Sequence, residues 1–275
     1  MLCRICNSGN TGQFKFGKTQ LIQCNDCKAV YLSQFPSNEY LDEYYSKQYQ
    51  LKKGDSLFLE QRRLHRLPEQ LFLINKISHY IKTPARLLDF GCDRGYFIDE
   101  ARRHGFDCCG TEQSISAVEY CHQTGLNVRK DIDDFDGKFD VITMWHCLEH
   151  LPNPNEIIFE LKSRLNPNGM LFVRVPAFDS FWAQTLKERW IWFQHENHLF
   201  HYTCDSLNNL FHQNGFRTEF IYKTRPNTRL TTHAYKMSRS AFRQFFGLSL
   251  PLRKRIGRIV ERITGVEVFS GFKMD

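Results

Sequence analysis

The chain has 275 residues, 41% of them hydrophobic, and a formal net charge of +7. That length accommodates one domain of ordinary size plus a small module, with enough apolar residues for a core. No apolar run is long enough for a membrane-spanning helix, and Met1-Leu2-Cys3-Arg4-Ile5-Cys6 lacks the apolar stretch of a secretory signal. The expected location is cytoplasmic, where ten cysteines imply metal ligation or free thiols rather than a disulfide framework.

Cys3-x-x-Cys6 and Cys24-x-x-Cys27 are two metal knuckles whose thiolates can converge on one tetrahedral Zn²⁺. So short a segment has little core of its own, so ligation would supply much of its folding energy. Residues 1–33 are therefore expected to form a zinc ribbon. Four ligands leave no open position, so the ion is expected to be structural. The other six cysteines (Cys92, Cys108, Cys109, Cys121, Cys147 and Cys204) read as small buried apolar residues.

Residues 34–84 read as a helical connection. Ser37 can cap a helix running through Tyr44-Tyr45, and an amphipathic helix is expected from about Leu57 to Ile81. From Ala85 to the end of the chain, strand and helix signals alternate, as a doubly wound α/β sheet requires. The expected strands are Ala85–Phe90, Asp107–Thr111, Asn127–Arg129, Phe139–Met144, Met170–Val175 and Arg217–Tyr222.

The first of these runs into Asp89-Phe90-Gly91-Cys92-Asp93-Arg94-Gly95. Gly91 and Gly95 permit a tight turn and close backbone approach, and the following helix brings its N-terminal N–H groups to the strand end. The second strand ends at Glu112, followed by Gln113, where a carboxylate can accept hydrogen bonds from a ribose. Gly-x-Gly-x-x-Gly is absent, and Asp89 would repel a pyrophosphate but suits a cationic ligand.

With Glu112, this turn resembles motif I and the following acidic residue of class I S-adenosylmethionine-dependent methyltransferases. The family has glycine where this chain has Asp93, a residue type that tolerates left-handed backbone. The resemblance implies a Rossmann-like methyltransferase sheet, mostly parallel with an antiparallel last strand, to which Val266–Phe269 would belong. It implies S-adenosyl-L-methionine as cofactor, held by Asp89, Gly91, Cys92, Gly95, Glu112 and Gln113. Asp131 would meet the adenine amino group, Ile132 would pack beside the ring, and Trp145 and His146 would line the methionine end. Met144-Trp145-His146-Cys147-Leu148-Glu149-His150-Leu151-Pro152 is similar to the family segment facing the transferred methyl. His150 is the first candidate base there, with Glu149 as the second or as its orienting partner.

The ribbon, Val30-Tyr31-Leu32 and Tyr44-Tyr45 are similar to the entry segment of a bacterial subgroup. Tyr44, Tyr45 and Tyr49 can cover the cofactor or acceptor, or pack between module and core. Arg189-Trp190-Ile191-Trp192-Phe193 and His198-Leu199-Phe200-His201-Tyr202 also resemble that subgroup, and Trp190 and His198 are the candidate acceptor contacts. Glu196-Asn197 replaces the family's Pro-Arg. His195, His198 and His201 are three apart, a spacing that admits a metal as well as pocket lining or core packing.

Residues 223–262 carry eleven Lys or Arg and one acid, more than the whole net charge, so the remainder is acidic. This basic insertion (223–264) includes Leu252, Ile256, Ile259, Val260 and Ile263 on one helix face, suited to core packing, an anionic membrane surface or phosphates. The expected activity is methyl transfer by in-line displacement to a small-molecule or glycan acceptor, including a nucleotide- or lipid-linked sugar. The alternatives are an RNA methyltransferase using the ribbon and basic stretch, and a non-catalytic cofactor-binding protein.

Overall fold

The computed structural model describes residues 2–37, 39–41, 43–44, 56–224 and 267–274. Tyr45, Tyr49, the basic stretch beyond Thr224 and the expected helix at 252–263 lie outside the described residues.

Three short strands open the chain: β1 (Thr11–Phe16), β2 (Thr19–Cys24) and β3 (Val30–Leu32). Helix α1 (Ser56–Tyr80) leads into alternating elements. These are β4 (Ala85–Phe90), α2 (Tyr96–Arg103), β5 (Phe106–Thr111), α3 (Ile115–Gln123), β6 (Val128–Arg129), β7 (Phe139–Trp145), α4 (Pro154–Ser163) and β8 (Leu165–Pro176). A short α5 (Phe181–Leu186), the two-residue β9 (Phe200–His201), α6 (Cys204–Gln213), β10 (Phe216–Thr224) and β11 (Glu267–Met274) follow.

The main sheet has the order β10-β11-β8-β7-β4-β5-β6. Its strands from β6 to β8 are parallel. The expected antiparallel last strand is β11, inserted between β10 and β8 and antiparallel to both. Nearly continuous apolar runs explain why β4, β7 and β8 lie in the interior, since helices cover both faces of a parallel sheet. Leu87, Leu88, Val141, Ile142, Leu171, Phe172 and Val173 are all fully buried.

Most strand boundaries fall within a residue or two of expectation. Strand β8 is longer, because Phe139 pairs with Leu165 before the register shifts and Val141 pairs with Met170. The turn residues Pro167-Asn168-Gly169 bulge between those pairings, with Asn168 left-handed at φ 67.

The chain proceeds outward through β4, β5 and β6, then returns to β7 on the other side of β4. That reversal opens a crevice beyond the carboxyl ends of β4 and β7, where such sheets bind ligands. None of the described helices is long and apolar enough to cross a membrane.

The ribbon hairpin is not a free appendage. Its strands form a second sheet, β1-β2-β3-β9, whose last member comes from the segment after β8. Val30 pairs with His201 and Tyr31 with Phe200. One knuckle accepts a hydrogen bond from Asn155 at the Ile5 carbonyl, 2.6 Å, and the other from Asn209 at the Cys27 carbonyl, 3.1 Å. Phe16 completes the junction, 4.7 Å from Phe178 and 4.8 Å from Phe193 between ring centroids.

Candidate functional site

The turn after β4 takes its shape from three left-handed residues: Gly91 at φ 77, Asp93 at φ 51 and Gly95 at φ 68. Asp93 thus adopts the conformation for which glycine is the easier choice. A Cβ at Gly91 would lie 2.6 Å from Cys147 Sγ, so that glycine lets the β4 turn and the β7 turn touch. The Gly91 and Cys92 N–H groups both donate to the Thr111 carbonyl, at 3.0 and 2.9 Å, fastening the turn to the end of β5. Gly95 then starts α2 without a side-chain cap.

Carboxylates ring this turn. Glu112 accepts the Asp93 N–H and the Ser114 N–H, each at 2.9 Å, and burial raises its pKa. Asp89 is buried and accepts the Thr143 hydroxyl at 2.6 Å. Burial pushes it up to about 7, against the Thr143 hydrogen bond and with help from Glu112 and Asp93. Arg62 at 3.7 Å and Arg94 at 3.6 Å balance Asp93. Mutually repelling carboxylates at a strand end favour a cation-bearing ligand and disfavour a pyrophosphate. This donor set fits S-adenosylmethionine, with its sulfonium and ammonium charges.

The remaining expected cofactor residues sit around that turn. The exposed Gln113 donates to the Lys130 carbonyl at 2.9 Å. Asp131 caps the short 3₁₀ turn Ile132–Asp134, accepting the Asp133 N–H at 3.0 Å. Ile132 is 1% exposed and belongs to the core. Trp145 packs edge-on against Phe97, with ring centroids 5.2 Å apart.

Opposite the turn, the chain after β7 forms a wall. His146 is left-handed at φ 54, a strained conformation for a non-glycine residue. Its Nδ1 lies 3.5 Å from Glu149 and its Nε2 3.2 Å from Glu267. Its ring stacks on Trp192 at 5.0 Å and 9°. Burial works to lower its pKa, but the neighbouring carboxylates of Glu149 and Glu267 outweigh burial and hold it at about 9. Glu149 is the converse: burial would raise it, yet His146 and then the nearby His150 and His198 pull it to about 2. Glu267 also pairs with the buried Arg174, which in turn bonds Glu69 of α1 at 2.6 Å. Breaking one member of such a buried pair typically costs about 3–5 kcal/mol.

His150 and His198 meet at the end of this chain of charges, ring centroids 4.6 Å apart and nearly perpendicular. His150 Nδ1 bonds the Asn197 carbonyl at 2.9 Å. A carbonyl only accepts, so Nδ1 carries the proton and Nε2 presents its lone pair. Burial lowers His198 to about 4 and His201 to about 3, which keeps both neutral. Trp190, by contrast, is 3% exposed within the core, and the ring that stacks on the wall is Trp192, two residues on.

Arg174, Glu267, Glu69 and Trp192 were absent from the sequence-based site. Arg174 had a legible signal, a lone charge inside the apolar strand Leu171-Phe172-Val173-Arg174-Val175. Glu69 and Glu267 had none, because their partners are more than ninety residues distant.

The four ribbon cysteines also converge. Cys3 and Cys27 Sγ are 3.6 Å apart, as are Cys6 and Cys24. Tetrahedral zinc with bonds of about 2.3 Å requires sulfur separations of about 3.8 Å. The set therefore fits a closed zinc site. The Cys27 thiol's hydrogen bond draws Cys3 down to about 5 and pushes Cys27 itself up.

Residues 59–219 match the family described as a methyltransferase domain. The chain is 32% identical over 102 residues to a ubiquinone biosynthesis O-methyltransferase of Actinobacillus pleuropneumoniae serotype 5b (strain L20), covering 32% of this chain and 44% of that relative. It spans about half the length or less of the curated relatives first matched. An S-adenosylmethionine-dependent methyltransferase structure from Archaeoglobus fulgidus superposes with a TM-score of 0.56 at 20% identity, over 81% of this chain and 100% of the other. The plantazolicin methyltransferase BpumL in complex with SAH gives 0.52 at 16% identity, over 86% and 96%. Both structural likenesses are likenesses of fold.

Proposed function

From the premise that this chain belongs to the methyltransferase-domain family, we propose that it transfers the methyl group of S-adenosylmethionine to a hydroxyl of a small-molecule or glycan acceptor. Asp89, Gly91, Cys92, Gly95, Glu112 and Gln113 hold the cofactor, with Asp131 and Ile132 toward its base and Trp145 and His146 toward its methionine end. The observation that carries the reading is the meeting of Glu149, His150 and His198 across from the glycine turn, with Gly91 touching Cys147 between them. The curated relatives are O-methyltransferases, which supports oxygen as the acceptor atom.

Bound S-adenosylmethionine supplies an electrophilic methyl: the carbon–sulfur bond breaks with its electron pair going to sulfur as the oxygen–carbon bond forms. The chain's own residues orient the acceptor and handle its proton. His150 Nε2 takes that proton, with Nδ1 already anchored on Asn197 and Glu149 favouring the resulting imidazolium. His146 and Glu267 fix the carboxylate end of this pair, and Trp192 covers it. One structural zinc held by Cys3, Cys6, Cys24 and Cys27 braces the acceptor segment through the β3–β9 pairing. No described cysteine is in a disulfide, which suits a cytoplasmic location.

The test is to incubate the protein with methyl-labelled cofactor and cell extract fractionated into RNA, lipid, glycan and small molecules. Label is expected in the glycan or small-molecule fraction and is expected to vanish with His150→Ala. Label confined to RNA would overturn the acceptor assignment, and no label with no cofactor binding would overturn the activity.

A further inference from the structure

We infer that Glu149, His150 and His198 form a site for one divalent transition-metal ion that contacts the acceptor hydroxyl. The inference rests on the reading of this wall as the acceptor side of a methyltransferase.

The three side chains each bring one ligand atom within 4.8 Å of the others. Glu149 is 1% exposed, and neither of its carboxylate oxygens has a hydrogen-bond donor. A buried carboxylate in that state calls for a cation. His146, 3.5 Å away, does not complete the balance. Among the described residues, the carboxylates Glu69, Glu267 and Glu149 share two ion-pair partners along the chain of charges from α1 to the wall, Arg174 and His146. The unmatched negative charge falls at Glu149.

The imidazoles are arranged as metal ligands are. His150 is anchored on the Asn197 carbonyl, 2.9 Å from its Nδ1, and the His198 ring stands edge-on against it. Such an outer bond fixes the ring and leaves the other nitrogen to present its lone pair. Two nitrogens and one oxygen suit zinc, iron or manganese better than calcium or magnesium, which prefer oxygen alone. Three protein ligands leave coordination positions for substrate, unlike the closed four-thiolate site.

The other acid-and-histidine groups fare worse. Glu69, His146 and Glu267 also converge, but Arg174 already pairs with both carboxylates there. Asp131, Asp133 and Glu160 lie toward solvent, where acids need no ion.

An ion on this wall changes the chemistry assigned to it. His150 Nε2 becomes a ligand and the cation lowers the pKa of the hydroxyl beside it. The hydroxyl proton then goes to water, and the oxygen lone pair attacks the methyl carbon as before.

The experiment titrates Mn²⁺ into protein carrying one zinc per chain, the equivalent needed by the four thiolates, and follows the free ion by electron paramagnetic resonance, with cofactor affinity measured calorimetrically on the same samples. One Mn²⁺ per chain is expected, at least tenfold weaker in His198→Ala and in Glu149→Gln, and unchanged in Asp133→Asn and Glu160→Gln. Glu149→Gln preserves side-chain shape, so it carries the test if His198→Ala fails to fold. Absence of a Mn²⁺ site, or equal affinity in wild type and Glu149→Gln, would overturn the inference. If the cofactor still binds in that case, the methyltransferase reading stands without the ion. A Mn²⁺ site in a protein that binds no cofactor would support the site and remove the reading beneath it.

Discussion

The two lips of the crevice are built by opposite means. The lip proposed for the cofactor, from β4 to β6, is assembled mostly from neighbours in sequence: Asp89 to Gly95, then Glu112, with the backbone N–H bonds of the turn closing within about twenty residues. The lip proposed for the acceptor joins the ribbon at 2–32, the wall at 145–151, the segment 190–202 and strand β11. Its key bonds span large separations, such as Leu32 N–H to the Leu199 carbonyl at 3.0 Å and Leu199 N–H to the Glu149 carbonyl at 2.8 Å. A local site survives distant damage, whereas a site assembled from remote segments depends on each one.

Damage to each lip should therefore have a distinct signature. The largest effect is expected from Gly91→Arg. A side chain there is strained by the left-handed backbone and collides with Cys147, so calorimetry should detect no cofactor binding while zinc content stays unchanged. Normal affinity would mean that the cofactor lies elsewhere. Next, His150→Ala should lower kcat by about a hundred- to a thousandfold, as loss of a positioned base or ligand does. Cofactor affinity should change by less than about threefold. Unchanged turnover would remove His150 from the chemistry.

A smaller effect is expected from pH. Asp89 titrates near 7 in the fold against an ordinary value of 3.8. The folded form thus holds a proton that the unfolded chain releases. Its stabilising contribution is complete below about pH 4 and declines as pH rises toward 7. A cationic cofactor prefers the ionised carboxylate, so affinity should rise by about tenfold between pH 6 and pH 8. Asp89→Asn should flatten that profile, and a profile that stays steep would assign it to another group.

The same contrast explains what was legible in the sequence. The glycine turn, Glu112 and the succession of strands follow from local patterns and strand–helix alternation, and the antiparallel β11 from the family resemblance. Glu149 and His150 were visible because they too are contiguous. The pairing of His198 with His150, the Arg174–Glu267–Glu69 chain and the ribbon's docking on β9 were not. They arise only when strands far apart in sequence become neighbours in space. Trp190 and Trp192 illustrate the limit: both lie in one aromatic run, and only the folded register decides which enters the core and which stacks on His146.

The ribbon provides the most direct test of the account, because its hydrogen bonds and ring contacts among the described residues run to the segments after β7 and β8. Stripping zinc from the thiolates should unfold residues 2–32, release β9 and displace His198, since ligation supplies most of such a module's stability. Cofactor affinity and methyl transfer should then be measured side by side on the stripped protein. The prediction is an affinity within about threefold of the zinc-loaded protein and turnover at background, restored on adding zinc. Parallel loss of both, or turnover that persists without the ribbon, would contradict a separately built acceptor lip.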